Sequence, residues 1–407
     1  MSAEWEETTL ADVSAEVSYG YTESASDKKV GPRFLRITDI QNGVVNWSNV
    51  PYCPISKADH GKYRLQSGDI VVARTGNSTG ENFLYQGIED AVFASYLIRF
   101  RINPEEADPA FIWYNLRSKR WWNFINSSKT GSAQPGANAK VLGLFPVSLP
   151  PLTEQKSIAQ ILASLDDKIE LNRRMNETLE ALAQSLFKSW FVDATQSALP
   201  KGWRYATIAE LCEINLWTLG KGDELDQIEY VEISEVMRGN IANIQTYERG
   251  EEPSRARRRL RHGDTVLSTV RPDRGAYFLC LNPSPNLIGS TGFAALTPTK
   301  APWSFIHAAM TQTDVFEYLG QQADGGAYPA VRPEIIGALE VPWPNKSEMV
   351  EDFHRTCAPL YEHAELNRQE SRILAALRDA LLPKLLSGEL RVPDAKLVKS
   401  TDVAVCL

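Results

Sequence analysis

Between positions 158 and 190 the apolar residues recur at steps of four and three. The positions hold Ile158, Leu162, Leu165, Ile169, Asn172, Asn176, Leu179, Ala183, Leu186 and Trp190. This is the a/d pattern of a helix that buries one narrow seam against a partner helix. Two asparagines sit inside the seam. A polar residue there costs stability and fixes register, so the pattern predicts a long helix with a partner held in one alignment. Adding 195 to each number gives a rougher second seam: Phe353, Cys357, Leu360, Ala364, Asn367, Ser371, Leu374, Arg378, Leu381 and Leu385. Its polar middle recurs, with Asn367 matching Asn172, while Arg378 intrudes. Pro359 is expected to kink this second helix or delay its start. Ile161, Met175, Leu182 and Phe187 form another stripe on the first helix, available either to other subunits or to the flank of the adjoining module.

The seams belong to a wider repetition. "ELNR" at 170–173 returns at 365–368, and "SGDIVVARTGN" (67–77) is echoed by "HGDTVLSTVRP" (262–272). "FLRITDI" (34–40) pairs with "YVEISEV" (230–236), and "GLFPVSLP" (143–150) with "GALEVPWP" (337–344). Trp5 finds Trp203. The echoes keep their order and their offsets stay within a few residues of 195, which identifies an internal repeat. The chain therefore divides into a mixed module over 1–150, a helix over 151–195, a second module over 196–345, a second helix over 346–390 and a polar tail over 391–407. Thr153 is the expected N-cap of the first helix, followed by an acidic first turn.

Each module reads as strand-rich with some helix. "DIVVAR", "AVFASYLIRFRI", "DTVLSTV" and "YFLCL" are short β-favouring runs bounded by turn residues, whereas 109–126 and 302–319 read as helical. The fold class is α+β. Two similar mixed modules are joined by long helices that pair as an antiparallel coiled coil, the halves being related by a pseudo-twofold. Antiparallel pairing is expected because it sets equivalent mid-seam positions, Asn172 and Asn367, opposite one another.

Searching for chemistry narrows the function by exclusion. No phosphate-binding glycine loop, nucleophile elbow or paired-histidine zinc motif is present. The five histidines lack ligand spacing, and five cysteines (53, 212, 280, 357, 406) are scattered without C-x-x-C pairs. No metal site and no disulfide framework is expected, and a reducing cytoplasm fits. The polar, acidic start predicts no secretory signal, and no apolar run is long enough to span a membrane. Asp69 and Asp264 follow the glycines of the "GD" turns and are read as turn residues rather than acids. The formal net charge of −8 means that any nucleic-acid site must rest on local charge. Such local charge exists. "SRARRRLRH" (254–262), including Arg258, is followed by Arg271 and Arg274; Lys57, Lys62, Arg64 and Arg74 occupy the matching region of the first module. Arg and Lys hold phosphates, while Arg, Asn, Gln and Ser at loop tips can read base edges.

Several of these segments resemble one family. "LPPLTEQKSIAQIL", "DDKIELNRRMNETLEALAQSLFKSWFVD" and "LLPKLLSGEL" (381–390) are similar to the helical blocks of the specificity subunits of Type I restriction-modification systems. "GDIVVARTG" and "TGSAQPG" resemble their target-recognition domains. The resemblance implies a non-catalytic subunit with two such domains, each reading one half of a split double-stranded DNA site. The paired helices would act as a spacer and dock two methyltransferase subunits, which bind S-adenosylmethionine; restriction/translocase subunits would join them. No cofactor is expected on this chain itself. DNA contact is carried by position onto Arg74, Thr75, Asn77 and Ser78, then Lys129, Thr130, Ser132 and Gln134. In the second copy it falls on Arg271, Asp273, Arg274, Tyr328 and Arg332. "STVRPDRG" departs from the pattern by lacking Thr-Gly after its Arg, and "SEMVEDFHRT" departs where the family has a Glu- and Gln-rich start to the helix. The alternatives are an enzyme with hidden motifs and a coiled-coil scaffold that binds only protein.

Overall fold

The computed structural model describes residues 5–128, 137–220, 222–326, 328–345 and 348–392. Two compact units emerge. One comprises residues up to Lys168 together with those from Ile373 onward; the other is Ile169–Arg372. The boundary falls within each of the long helices, Leu152–Phe187 and Glu348–Leu386.

The first unit is built on a four-stranded antiparallel sheet of Ser14–Tyr19, Leu97–Ile102, Asp69–Ala73 and Asn82–Leu84, in that spatial order. A short parallel pair, Arg33–Leu35 with Ala91–Phe93, sets Phe34 beside Val92. Glu6–Thr9 pairs antiparallel with Pro146–Leu149. The second unit repeats these pairings, with its parallel pair set inside a further four-stranded sheet. Its main sheet runs Cys212–Ile214, Phe293–Pro298, Thr265–Ser268 and Tyr277–Leu279. A parallel pairing sets Tyr230 beside Ile288, and Trp203–Thr207 pairs with Glu340–Pro344. The Phe34–Val92 and Tyr230–Ile288 partners differ by 196 residues on both strands. The segments expected to be helical are each broken once, into Pro109–Asn115 and Lys119–Ser128, and into Trp303–Met310 and Thr313–Gln321.

The "GD" turns show why sequence echoes become structural ones. Gly68 and Gly263 have φ of +92° and +87°, a region that favours glycine. The aspartate that follows is buried in each case and accepts a backbone N–H three residues back, from Gln66 and from Arg261, both at 2.8 Å. Beyond the turn the two differ. Asp69 is also held by Arg101, which donates to both carboxylate oxygens at 2.8 and 2.9 Å. Among the described residues Asp264 has no such salt bridge, and burial pushes its carboxyl up to about 6 despite the Arg261 N–H. The folded state therefore binds a proton that the unfolded chain releases near pH 4. This group's contribution to stability falls as pH rises from about 4 to about 6 and then stays low. Asp264→Asn keeps an acceptor for Arg261 and removes the charge. Chemical denaturation at pH 8 is expected to show a gain of up to about 3 kcal/mol, vanishing toward pH 4; an equal gain at both pH values would rule out the ionisation as its cause.

The helical seams are accounted for residue by residue. Every seam position from 158 to 190, and from 353 to 385, is buried or half-buried. In the first unit Ile158 and Leu162 lie in one core with Leu385, and Leu381 packs against it. Arg378, the intruder, donates to Asp166 at 2.6 Å; the same carboxylate receives Arg117 and the Tyr114 hydroxyl, each at 2.9 Å. An apparent seam defect is thus one member of a polar cluster linking both helices to the module. In the second unit Asn172 donates to the Asn367 carbonyl (3.3 Å), to Glu370 (2.7 Å) and to Ser371 (3.3 Å). Asn367 donates to Asn176 at 2.9 Å, and Asn176 to the Ala364 carbonyl at 3.0 Å. As the number rises on one helix the partner number falls on the other, so the two run antiparallel there. Leu165, Ile169, Leu179, Leu360 and Leu374 are half-buried.

Four expectations require correction. Thr153 is not the N-cap, because the helix already includes Leu152, and the Pro151 carbonyl accepts from Glu154 and Gln155. Pro359 does not delay or interrupt the second helix, which runs unbroken through it; the proline faces solvent, where water can satisfy the carbonyl it leaves without a donor. Phe187 does not belong to an outer stripe. Near the end of the first helix the buried line is Ala183, Phe187 and Phe191, with Leu186 and Trp190 only half-buried. An α-helix drifts against a strict 3.5-residue seam, and here it turns toward Phe305 and Phe353 as its last turn widens into a π-turn at Lys188–Val192. Part of the run 254–262 is also not a free cationic surface. Arg259 pairs with Asp223, and half-buried Arg258 donates to the Phe293 carbonyl at 3.3 Å, whereas Arg261 stays exposed beside the Trp217 ring (4.8 Å).

Candidate nucleic-acid interface

In each unit the strand that follows the "GD" turn delivers the chain to a cluster of exposed polar and aromatic side chains. In the first unit, Asp69–Ala73 ends at Arg74. The Arg74 backbone is pinned on both sides: its N–H donates to the Tyr96 carbonyl (3.1 Å) and its carbonyl accepts from Ala137 (2.9 Å). Its Nε donates to the Ser95 carbonyl at 3.0 Å, and its guanidinium lies 5.1 Å from the centre of the Tyr19 ring. The Tyr19 hydroxyl accepts from the Ala139 N–H at 3.1 Å. Tyr19 and Tyr96 are 42% and 58% exposed, so an aromatic surface flanks the arginine. The loop then turns through half-buried Thr75, exposed Asn77 and half-buried Ser78, and closes where Gly80 donates to the Ala73 carbonyl. Lys129, Thr130, Ser132 and Gln134 lie outside the described residues.

The second unit has the equivalent backbone at Thr269, whose carbonyl accepts from Val331 at 2.9 Å. Thr269, rather than Arg271, is therefore the counterpart of Arg74 along the strand. Arg271 follows two residues later with φ of +46°. Its N–H donates to the Pro329 carbonyl (2.8 Å), and its guanidinium lies 5.1 Å from the Tyr328 ring, which is 74% exposed. The fold thus brings Arg271 and Tyr328 together across 57 residues of sequence. Asp273 and Arg274 are exposed on the turn Pro272–Arg274, and exposed Arg332 precedes the short helix Pro333–Gly337. Arg258 faces inward on a different sheet, and burial pulls its guanidinium pKa down.

The residues that sequence reasoning missed here are Tyr19 and Tyr96, together with Thr269. Tyr19 precedes Gly20, where a Cβ would come within 2.3 Å of the Ala94 carbonyl. The glycine in "SYGY" marks a close backbone approach, but nothing in the local pattern says what approaches. Among the described residues no group of His, Cys, Asp and Glu could hold a metal ion, and no helix is long and apolar enough to cross a membrane.

The arrangement has relatives. Residues 2–181 match the family model described as Type I restriction modification DNA specificity domain. The chain is 24% identical to the Type I restriction enzyme HindI specificity subunit of Haemophilus influenzae, over 95% of this chain and all of that one. It is 27% identical to the EcoKI specificity subunit of Escherichia coli over 46% of this chain and 42% of that protein. The crystal structure of a Type I restriction-modification S subunit from M. genitalium shares the fold, with a TM-score of 0.59 at 16% identity, covering 94% of this chain and 96% of that one. The first 181 residues thus match a Type I restriction modification DNA specificity domain, and the chain is similar to specificity subunits of such systems over most of its length.

Proposed function

We propose that this chain reads a split DNA site, one half in each unit, and directs methyltransferase and restriction subunits to it. The observation that carries the reading is that each unit sets an arginine on an exposed tyrosine just past the strand after its "GD" turn, at non-equivalent positions: Arg74 on Tyr19 and Arg271 on Tyr328. A planar cation beside an aromatic face suits a nucleic-acid surface, where phosphates position and base edges specify. In this reading Arg74, Thr75, Asn77, Ser78, Arg271, Asp273, Arg274, Tyr328 and Arg332 contact DNA. Two methyltransferase subunits dock on the long helices, whose Ile161, Leu171, Leu182, Leu366, Ile373 and Leu377 side chains stay exposed. S-adenosylmethionine and the transfer step belong to those partners, and the complex works in the cytoplasm.

The test is methyl transfer from labelled cofactor to random-sequence duplexes. The expected result is no transfer by the purified chain, and transfer at one split motif when it is assembled with its methyltransferase subunit. Sequencing of methylated bases in host DNA with and without this gene should report the same motif. Transfer by the chain alone, or transfer without a motif, would overturn the proposal.

A further inference from the structure

We infer that Arg74 reads a guanine in the half-site bound by the first unit, and that Tyr19 and the Ser95 carbonyl hold its guanidinium in the reading position. The inference rests on the DNA-reading function proposed above and names the base that one side chain selects.

Three observations lead to it. First, Arg74 is left charged and unneutralised. In the same unit Arg36 pairs with Asp39, Arg64 with Asp90, Arg99 and Arg101 with Glu16, and Arg117 with Asp166. Arg74 has no carboxylate partner among the described residues, a state it shares in this unit with Arg33, which donates to the Val50 carbonyl and lies over Tyr52. Its side-chain contacts among the described residues are a neutral carbonyl and a tyrosine ring, neither of which cancels its charge.

Second, the side chain is held rather than free. Backbone hydrogen bonds fix its Cα on both sides, Nε is tied to Ser95, and the Tyr19 ring covers one face of the guanidinium. Tyr19 is itself anchored through its hydroxyl to Ala139. A phosphate contact gains little from such constraint, because a flexible cation finds a phosphate oxygen from many directions. A base-edge contact gains much, because the rotamer entropy is already lost before DNA arrives.

Third, what remains unused has a particular shape. With Nε occupied, the two Nη groups are left with parallel N–H bonds. Guanine offers O6 and N7 as adjacent acceptors in the major groove, and the bidentate arginine contact to them is the commonest specific protein–DNA pairing. Adenine sets a donor beside its N7, and cytosine and thymine present no such acceptor pair. Exposed Tyr96 and Asn77 flank the arginine, leaving it open to a groove.

The experiment is selection from a randomised duplex library by the chain assembled with its methyltransferase subunit, comparing wild type with R74A, R74K and Y19A. The wild-type motif is expected to contain a guanine in one half that disappears with R74A. The loss of discrimination at that position should be roughly 5- to 150-fold, the range expected for one bidentate base contact. The other half-site should be unchanged. R74K keeps the charge without the fork and should lose the same guanine preference while binding more tightly than R74A. Y19A should weaken the preference at that position alone. If R74A leaves the motif intact and weakens binding equally on all sequences, Arg74 is a phosphate contact and the inference is wrong. It is also wrong if the preference lost is for another base, or if R74K retains the guanine. A wild-type complex that selects no sequence would instead overturn the DNA-reading function itself. Thermal unfolding of each variant identifies any that misfold, and R74K carries the decision if R74A is among them.

Discussion

Phe353→Ala is expected to cost about 3–5 kcal/mol, the range for truncating a fully buried phenylalanine. Phe353 is 0% exposed and lies at the meeting point of four aromatic rings. Its centroid is 5.4 Å from Phe191, 5.8 Å from Phe187, 6.0 Å from Trp190 and 6.5 Å from Phe305. Phe187, Trp190 and Phe191 come from the first long helix and its π-turn, Phe353 from the second, and Phe305 from the globular part of the second unit. Removing the ring forfeits its transfer energy and leaves a cavity that rigid aromatic neighbours fill poorly. Denaturant unfolding should show a lowered midpoint. Leu360→Ala, at a half-buried position on the same helix, should cost distinctly less. A Phe353→Ala loss below about 1 kcal/mol would show that the cluster relaxes freely and is not the joint described here.

The second large effect concerns the asparagine layer. Asn367→Leu removes the donor to Asn176 and leaves a buried amide oxygen without its partner, which should cost about 1–3 kcal/mol. The double variant Asn176→Leu/Asn367→Leu should recover most of that loss, because replacing both partners with apolar groups can be nearly neutral. It should also loosen the alignment of the two helices, since the polar layer no longer penalises other registers. A cysteine pair placed across the helices would measure this. Cross-linking should be confined to one pairing in the wild type and spread to neighbouring pairings in the double variant. If the double variant is as unstable as the sum of the single ones, the network does not act as a unit.

Much of this architecture was legible because it depends on periodicity and on backbone chemistry. The seam from Ile158 to Trp190 predicted which side of the helix is covered, and Asn172 opposite Asn367 followed from an offset of 195. Gly68 and Gly263 announced their turns because the left-handed backbone there favours glycine, and the aspartate after each is a turn residue as expected. The helical words pointed to the specificity subunits that the chain resembles. The reading was weaker wherever side chains had a choice of partner. The arginines at 258 and 259 resembled part of a DNA-binding run, yet each is used inside the fold. Arg378 resembled a flaw in the second seam, but Asp166 takes it up. Phe187 looked peripheral until the drift of the helix and a widened last turn carried it into the core.

What the amino-acid order determined by itself was therefore local and periodic: the helices, their seams, the repeated strands and turns, and the kinship they reveal. Those features arise from interactions among near neighbours or from a spacing that any reader of the chain can count. Only the tertiary structure decided which charges are neutralised and which are left for a ligand. Charge compensation depends on distance in space, and the groups that matter lie far apart along the chain, as Arg74 does from Tyr19.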